Sequence, residues 1–378
     1  MNLLTWFAEA DFLTGAFYVA ALLVALMVIV FIHEYGHFKV ARLCGMKVDT
    51  FSIGFGREVW GRTDRYGTRW KIGYLPFGGY VKFAGDANAA SMPDPSIAAK
   101  PDEFHGKPVW QRALVVVAGP VANFILAFFL FAAAFYVLGD QVPGTKVGMV
   151  QQGSPAEQGG LQVNDIIKAI DGEKTDSFED IWRIVSMSPG KTMDFLVDRQ
   201  KEMVNLQITA RSEVEDRGFY GKFTVGKIGI SYSKDADNFH TVNLAGAISL
   251  SGEQVWFIIK NTLQYVGKLF LGQDTVAQLG GVGSMAKLTG DAASIGVFQY
   301  IKIIALLSVS IGLINLFPIP MLDGGHLVFY AIEALRRKPL GPQAQEWSFR
   351  LGFAFVILLM LIGNGNDLVR VATQYLGY

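Results

Sequence analysis

The 378-residue chain is 51% hydrophobic and 17% charged, and its 33 Lys+Arg balance 33 Asp+Glu to a formal net charge of zero. So apolar a composition excludes a disordered chain, and the absence of a basic surplus argues against a nucleic-acid binder. The single cysteine, Cys44, excludes an intrachain disulfide and any cysteine-built zinc site.

The first predicted element is an apolar run over 12–32 without one charged residue. A bilayer core takes about 20 such residues as helix. No Lys or Arg precedes Lys39, and Glu9 and Asp11 lie ahead of the run. Both features differ from a cleaved signal peptide. The run leads directly into His33-Glu34-Tyr35-Gly36-His37. On a helix, positions i and i+4 share one face, so both imidazoles can reach one metal ion. Glu34 sits one step round, within reach of a proton on a metal-bound water. Ionisable groups at the end of a membrane span are costly, which makes them a functional expectation. The plainer alternative, a polar helix end reaching for the interface, leaves the spacing unexplained.

The link that follows reads as β-hairpins at the membrane surface. Residues 50–56, 68–75 and 78–83 alternate and are rich in β-formers and glycine. An exposed edge there could pair with an unwound substrate strand, or the hairpins could simply pack on the helices. A second span is expected over 113–139, again without a charge.

Between roughly 140 and 300 the pattern changes. Alternating stretches and turn signals predict a small soluble α/β domain up to about Arg211. Trp256, Ile259, Leu263, Val266 and Phe270 then recur at helical steps. They predict an amphipathic helix lying on the membrane or on the soluble domain. A third span is expected over 303–322, ending at Asp323, and a fourth over 351–366. Pro318 and Pro320 forbid a regular helix just before Asp323, and such backbone at membrane depth is tolerated only where enclosed or lining a cavity.

Orientation follows from the basic residues. Lys39 to Arg112 supply a dense positive link between spans one and two, and Arg336, Arg337, Lys338 and Arg350 another between spans three and four. By the positive-inside rule these links are cytoplasmic, and the N-terminus and middle segment lie outside. Spans one and three then run in the same direction, which puts Asp323 at the depth of His33 and His37. Catalytic zinc takes three protein ligands and keeps a position for water, so Asp323 is the expected third ligand. His326 competes for that place; an ordinary histidine beside the site is its plainer reading. His105 and His240 read as surface histidines.

Three motifs in this order resemble one family. They are His33-Glu-Tyr-Gly-His37, a turn at Gly119-Pro-Val-Ala-Asn123, and Asn315-Leu-Phe-Pro-Ile-Pro-Met-Leu-Asp-Gly324. A PDZ-like stretch lies between them, with Gly148-Met149-Val150, Gly153-Ser-Pro-Ala, Gly160-Leu161 and Asn164-Asp165-Ile-Ile. The chain resembles the site-2 family of intramembrane zinc metalloproteases, in its bacterial branch of regulator-of-sigma-E type. The resemblance implies a polytopic α-helical membrane protein. Its four transmembrane helices would carry a membrane-associated β-hairpin element and one inserted extracytoplasmic PDZ-like α/β domain. Residues 1–139 would hold the first two helices and the HExxH motif, and 140–232 the PDZ-like domain. Residues 233–300 would form amphipathic linker helices, and 301–378 the last two spans. Best-known relatives carry two PDZ domains in tandem, and this chain has room for one.

The resemblance further implies a zinc site of His33, His37 and Asp323, with Glu34 as general base and later proton donor. Asn123 and Asn315 would hold substrate backbone or the oxyanion, helix–helix hydrogen bonding being the alternative. Gly148, Met149 and Val150 would bind peptide C-termini by strand addition. Substrates would be single-span proteins such as anti-sigma factors after ectodomain trimming, or signal-peptide remnants. The protein would sit in the bacterial inner membrane, with its N-terminus and PDZ domain periplasmic and its active site near the cytoplasmic side. Three other readings fit less. A membrane-anchored zinc peptidase for soluble chains needs its metal site clear of lipid. A PDZ scaffold has no use for Glu34 beside a full ligand set. A transporter favours inverted repeats, which the sequence lacks.

Overall fold

The computed structural model describes residues 12–86, 100–216, 222–233, 237–240, 242–271 and 280–376. The chain forms two units, one of Met1–Ala134, Ile248–Val266 and Thr275–Tyr378, the other of Phe135–Ala247 and Gly267–Asp274.

Among the described residues, four helices are long and apolar enough to cross a membrane: Leu13–Leu43, Val109–Leu138, Val297–Asn315 and Gln343–Val369. The first belongs to α1 (Phe12–Leu43), which runs past the apolar stretch and carries the whole HExxH motif within it. It ends where Gly45 takes φ +66°. The Met46 amide then donates to Ala41 O and the Gly45 amide to Arg42 O, which satisfies two carbonyls the helix end leaves open.

Strands β1 (Val48–Thr63) and β2 (Arg69–Phe83) follow. Residues 50–53 are flanked on both sides: Ile53 stands opposite Gly79 and also opposite Ile72. Such close passage needs glycine. A Cβ on Gly54 would lie 3.1 Å from Gly73 O and nearer still to Leu75 O, and Gly54 has φ +80°. Phe51, Val81 and Phe83 bury their side chains with Phe38 of α1 and Phe104, and Phe51 stacks on Trp70 at 4.4 Å between centroids. The hairpin is thereby fixed to the helix that carries the histidines.

Helix α2 (Val109–Leu138) contains Gly119, Pro120 and Asn123 in its interior, so the turn expected there is instead continuous helix. Pro120 removes one backbone donor, a loss that neighbouring helices make tolerable inside a membrane bundle. After the second unit the chain rejoins the first within α5 (Leu244–Phe270), a single long helix over the predicted amphipathic segment. Trp256 and Leu263 on it are exposed and Ile258 is buried. The side chains of Lys268 and Phe270 lie outside the described residues.

Helix α6 (Val282–Ile295) packs on α1, where the Tyr18 hydroxyl donates to Asp291 Oδ1 at 2.5 Å. Its first turn is held by α9 (Pro342–Leu376), as Asn364 Oδ1 accepts from the Val282 amide at 3.1 Å and Asp367 Oδ2 from the Ser284 amide at 3.0 Å. These acceptors supply what the first amides of a helix lack. Helix α7 (Val297–Asn315) is shorter than the expected third span. Pro318 and Pro320 follow it, and Met321 takes φ +84°. Asp323 does not end a span. It opens a new helix, α8 (Asp323–Arg336), because two prolines in three residues leave the chain no regular path from Asn315.

The second unit is a small β-rich domain. Strands β5 (Ile166–Ile170), β6 (Glu173–Lys174), β7 (Thr192–Arg199) and β8 (Glu202–Thr209) form an antiparallel sheet in the order β6-β5-β7-β8. β3 (Asp140–Pro143) pairs with β12 (Asp237–His240), β4 (Val147–Val150) with β11 (Ile230–Tyr232), and β9 (Arg211–Asp216) with β10 (Lys222–Lys227). The domain thus continues well past Arg211, where the alternating pattern had been expected to stop. A one-turn helix, α3 (Pro155–Gln158), follows β4. Helix α4 (Phe178–Ser186) starts with a capping box, Ser177 Oγ accepting from the Asp180 amide while the Asp180 carboxylate accepts from the Ser177 amide.

Met193, Phe195 and Val197 alternate along β7 and point into a core with Val147, Ile167, Ile181 and Ile208. Phe195 is fully buried. Its replacement by alanine is expected to destabilise this unit by about 3–5 kcal/mol. Limited proteolysis of the full chain across a urea series would show it as earlier cleavage within 140–240. Unchanged resistance would mean the core tolerates the void.

Candidate active site

His33 and His37 face α2 from α1, and two glycines permit the approach. A Cβ on Gly36 would overlap Ala118 of α2, and a Cβ on Gly119 would overlap the His37 ring. His37 Nδ1 lies 2.8 Å from Val115 O. A carbonyl can only accept, so the proton is on Nδ1 and the Nε2 lone pair faces inward. His33 presents Nε2 to the same point, 3.2 Å from His37 Nε2. Asp323, the first residue of α8, completes the group. Its Oδ2 is 3.1 Å from His33 Nε2 and its Oδ1 3.6 Å from His37 Nε2.

These residues fit a zinc ion. Two nitrogens each about 2.05 Å from a tetrahedral zinc would stand about 3.3 Å apart, and the three separations here bracket that value. The three ligand atoms lie within 4.8 Å of one another. Asp323 Oδ2 is buried and no hydrogen bond satisfies it. A buried carboxylate oxygen left so is costly unless a cation completes it. Two histidines and a carboxylate are also a ligand set that zinc accepts.

Glu34 lines the same cavity of about 450 Å³ as His33, His37 and Asp323. Strand β2 forms another wall. A Cβ on Gly79 would stand 2.8 Å from Ser52 O and 3.2 Å from Glu34 Cγ, so only glycine lets the strand pass this close to the helix. Asn315 lines the cavity, whereas Asn123 does not. Asn123 is wholly buried behind the histidines, its Nδ2 3.2 Å from His33 Nδ1. His326 lines the cavity but stands outside the three-residue cluster.

Two expectations need correction. His105 is not a bland surface histidine, because its Nε2 is 3.0 Å from Asp86 Oδ1, whose side chain is fully buried and also accepts from the Phe83 amide. This pair fastens the end of β2. Gly148, Met149 and Val150 are not a free strand for peptide capture. Val150 pairs with Ile230 and Met149 with Ser231, and a Cβ on Gly148 would overlap the Tyr232 backbone. The groove of the second unit, about 420 Å³, is lined instead by Ile181, Trp182 and Val185 of α4 and by Ile228, Gly229 and Ile230. The side chain of His240 lies outside the described residues.

Sequence reasoning missed what Gly119 and Gly79 do. Both were visible as glycines in an apolar helix and a strand, but what they make room for appears only when the elements are packed.

Comparison with known proteins agrees with this chemistry. The model of "Peptidase family M50" matches residues 21–359. An Agrobacterium fabrum protein named "Putative zinc metalloprotease Atu1380" is 41% identical, over 96% of this chain and 98% of its own length. Metalloprotease MmpA of Caulobacter vibrioides is 39% identical, over 93% of this chain and 95% of its own. Regulator of sigma-E protease RseP of Salmonella typhimurium is 30% identical, over 93% and 98%. Among solved structures, the PDZ domain of an SdrC-like protein from Listeria innocua covers 25% of this chain and 99% of that domain, at 20% identity and TM-score 0.21.

Proposed function

This chain belongs to peptidase family M50, the site-2 family of zinc metalloproteases, and on that footing we propose that it cleaves transmembrane segments of single-span proteins within the bilayer. The observation that carries the reading is the meeting of His33, His37, Asp323 and Glu34 around one cavity, with His33, Glu34 and His37 on a helix long and apolar enough to cross a membrane. A peptidase for soluble chains would not need its metal ligands in such a helix.

His33, His37 and Asp323 would hold the zinc. Zinc, when bound, acidifies a water toward neutral pH and polarises the scissile carbonyl. Glu34 takes the proton of the attacking water and later hands it to the leaving amine. Asn315 faces the cavity and offers its amide to the substrate backbone or to the developing oxyanion.

A helical substrate must unwind before its peptide bond can be attacked. Residues 79–83 of β2 pair with β1 on one side and have no other strand partner among the described residues. That edge lies beside Glu34, whose side chain takes one backbone hydrogen bond at Val81, and it otherwise suits pairing with an extended substrate. In the second unit, read as PDZ-like, a chain end would lie between α4 and residues 228–230, in place of the 148–150 stretch. There it would select a fresh C-terminus or exclude bulky ectodomains. In this reading the active site lies near the cytoplasmic side of a bacterial inner membrane and the second unit in the periplasm, which the positive-inside bias of the basic links supports. The relative named as a sigma-E regulator makes trimmed anti-sigma factors the first substrates to try, with signal-peptide remnants next.

Purified full-length chain in detergent is expected to cut a pre-trimmed single-span substrate inside its apolar segment. A chelator should abolish cleavage and stoichiometric zinc should restore it. Cleavage that survives verified zinc removal would overturn the mechanism. Cuts confined to soluble chains would overturn the intramembrane reading.

A further inference from the structure

The two histidines are held by different kinds of partner. His37 Nδ1 meets a backbone carbonyl, Val115 O, which accepts and never donates. His33 Nδ1 meets the amide of Asn123, which can do either. The amide nitrogen stands at His33 Nδ1, and the amide oxygen is buried without a hydrogen-bond partner. In this arrangement the amide donates, so the neutral His33 ring carries its proton on Nε2, where the His37 Nε2 lone pair accepts it at 3.2 Å. A cation cannot be ligated through that protonated nitrogen. A half-turn of the amide places its oxygen at Nδ1. The ring proton then belongs on Nδ1, and the Nε2 lone pair is released toward Asp323 and His37.

We propose that Asn123 is a positioning residue for zinc, holding the His33 ring in place and turning its amide to support the tautomer that binds the metal. The proposal rests on the reading of His33, His37 and Asp323 as ligands. Asn123 is well placed for this and badly placed for substrate. It is wholly buried and lines no part of the active-site cavity. Its backbone is fixed independently of its side chain, since Ser308 Oγ of α7 donates to Asn123 O at 2.8 Å. The neighbouring position on α7 is Gly312, where a Cβ would come within 3.1 Å of Asn123 Cβ. The amide can therefore turn while the helix contact stays. A partner on the second ring nitrogen also raises the basicity of a ligating histidine and fixes its plane.

The test is zinc affinity of the full chain in detergent, by competition with a chromophoric chelator. Asn123→Leu keeps the branched shape, in a somewhat larger side chain, and removes the acceptor. It is expected to bind zinc about 10–100-fold more weakly than the parent. Asn123→Asp keeps an acceptor at Nδ1 and should bind at least as tightly as the parent. The Ser308 bond to the backbone survives both changes, so a merely structural role would not separate them. Parent-like affinity in Asn123→Leu would overturn the proposal, as would Asn123→Asp weakening as much as the leucine variant. If the leucine variant does not fold, the aspartate variant alone decides, by keeping or losing affinity. His37→Ala is measured alongside. Undiminished affinity there would sink the ligand set itself, which is a separate failure from that of Asn123.

Discussion

Replacing Glu34 by glutamine is expected to lower the rate of peptide-bond cleavage by about 10²- to 10⁴-fold while leaving bound zinc unchanged, the range that a lost general base accounts for. Glutamine has nearly the shape of glutamate but cannot take a proton from water. Glu34 lines the cavity without belonging to the cluster of His33, His37 and Asp323, so its neutral replacement removes no converging ligand atom. The Val81 backbone, which hydrogen-bonds the Glu34 side chain, can do the same with the amide oxygen. Single-turnover cleavage of a single-span substrate, with zinc stoichiometry on the same preparations, separates the outcomes. Near-parental turnover would remove Glu34 as the base. Loss of zinc together with activity would mean that Glu34 supports the metal and its role in proton transfer is unproven.

The site was legible where its chemistry is short-range in sequence. Two histidines four residues apart on a helix declare a shared face, with Glu34 one step round, whatever the rest of the chain does. Asp323 was harder. It could be placed beside the histidines only by arguing span directions from Arg and Lys, yet the structure puts it there. Its local setting was misread as the end of a span, because an apolar run continues through Leu316 to Leu322 while the helix does not. Hydropathy records apolarity, and it does not record that Pro318 and Pro320 cannot be helical neighbours.

The Gly119–Asn123 segment shows the opposite error. Glycine and proline together signal a turn in water, but within a bundle the neighbouring helices satisfy what proline leaves open, and α2 runs straight through. For Gly148 to Val150 the alternation identified a strand correctly. Which edge of a strand is already occupied depends on residues far away, here Ile230 to Tyr232. The same applies to the two asparagines. Both are polar residues in apolar helices, and only packing shows that Asn315 faces the cavity and Asn123 faces a histidine.

The largest effect on the metal site from a residue that is not a ligand is expected at Gly119. A methyl group there would overlap His37 Nε2 and Cε1 and lie 3.0 Å from His33 Cε1. Neither ring has room to retreat without losing a partner. His37 is tied through Nδ1 to Val115 O on the same helix as Gly119, and His33 through Nδ1 to Asn123. Gly119→Ala must therefore either turn a ring away from Asp323 or push α1 and α2 apart. Gly36 opposes the second route, because α2 is already packed against it at Ala118. The expected result is zinc affinity reduced by at least about 100-fold, the upper end for losing the support of a ligand, and cleavage lost in proportion. Gly252→Ala on α5 is the control, since nothing lies within 4 Å of a Cβ there and a helical alanine is mildly stabilising. Zinc content after dialysis, read beside far-ultraviolet circular dichroism, checks both variants. Stoichiometric zinc in a folded Gly119→Ala protein would mean that the histidine pair adjusts freely, and that the close approach of α1 and α2 at this glycine is not what positions the metal.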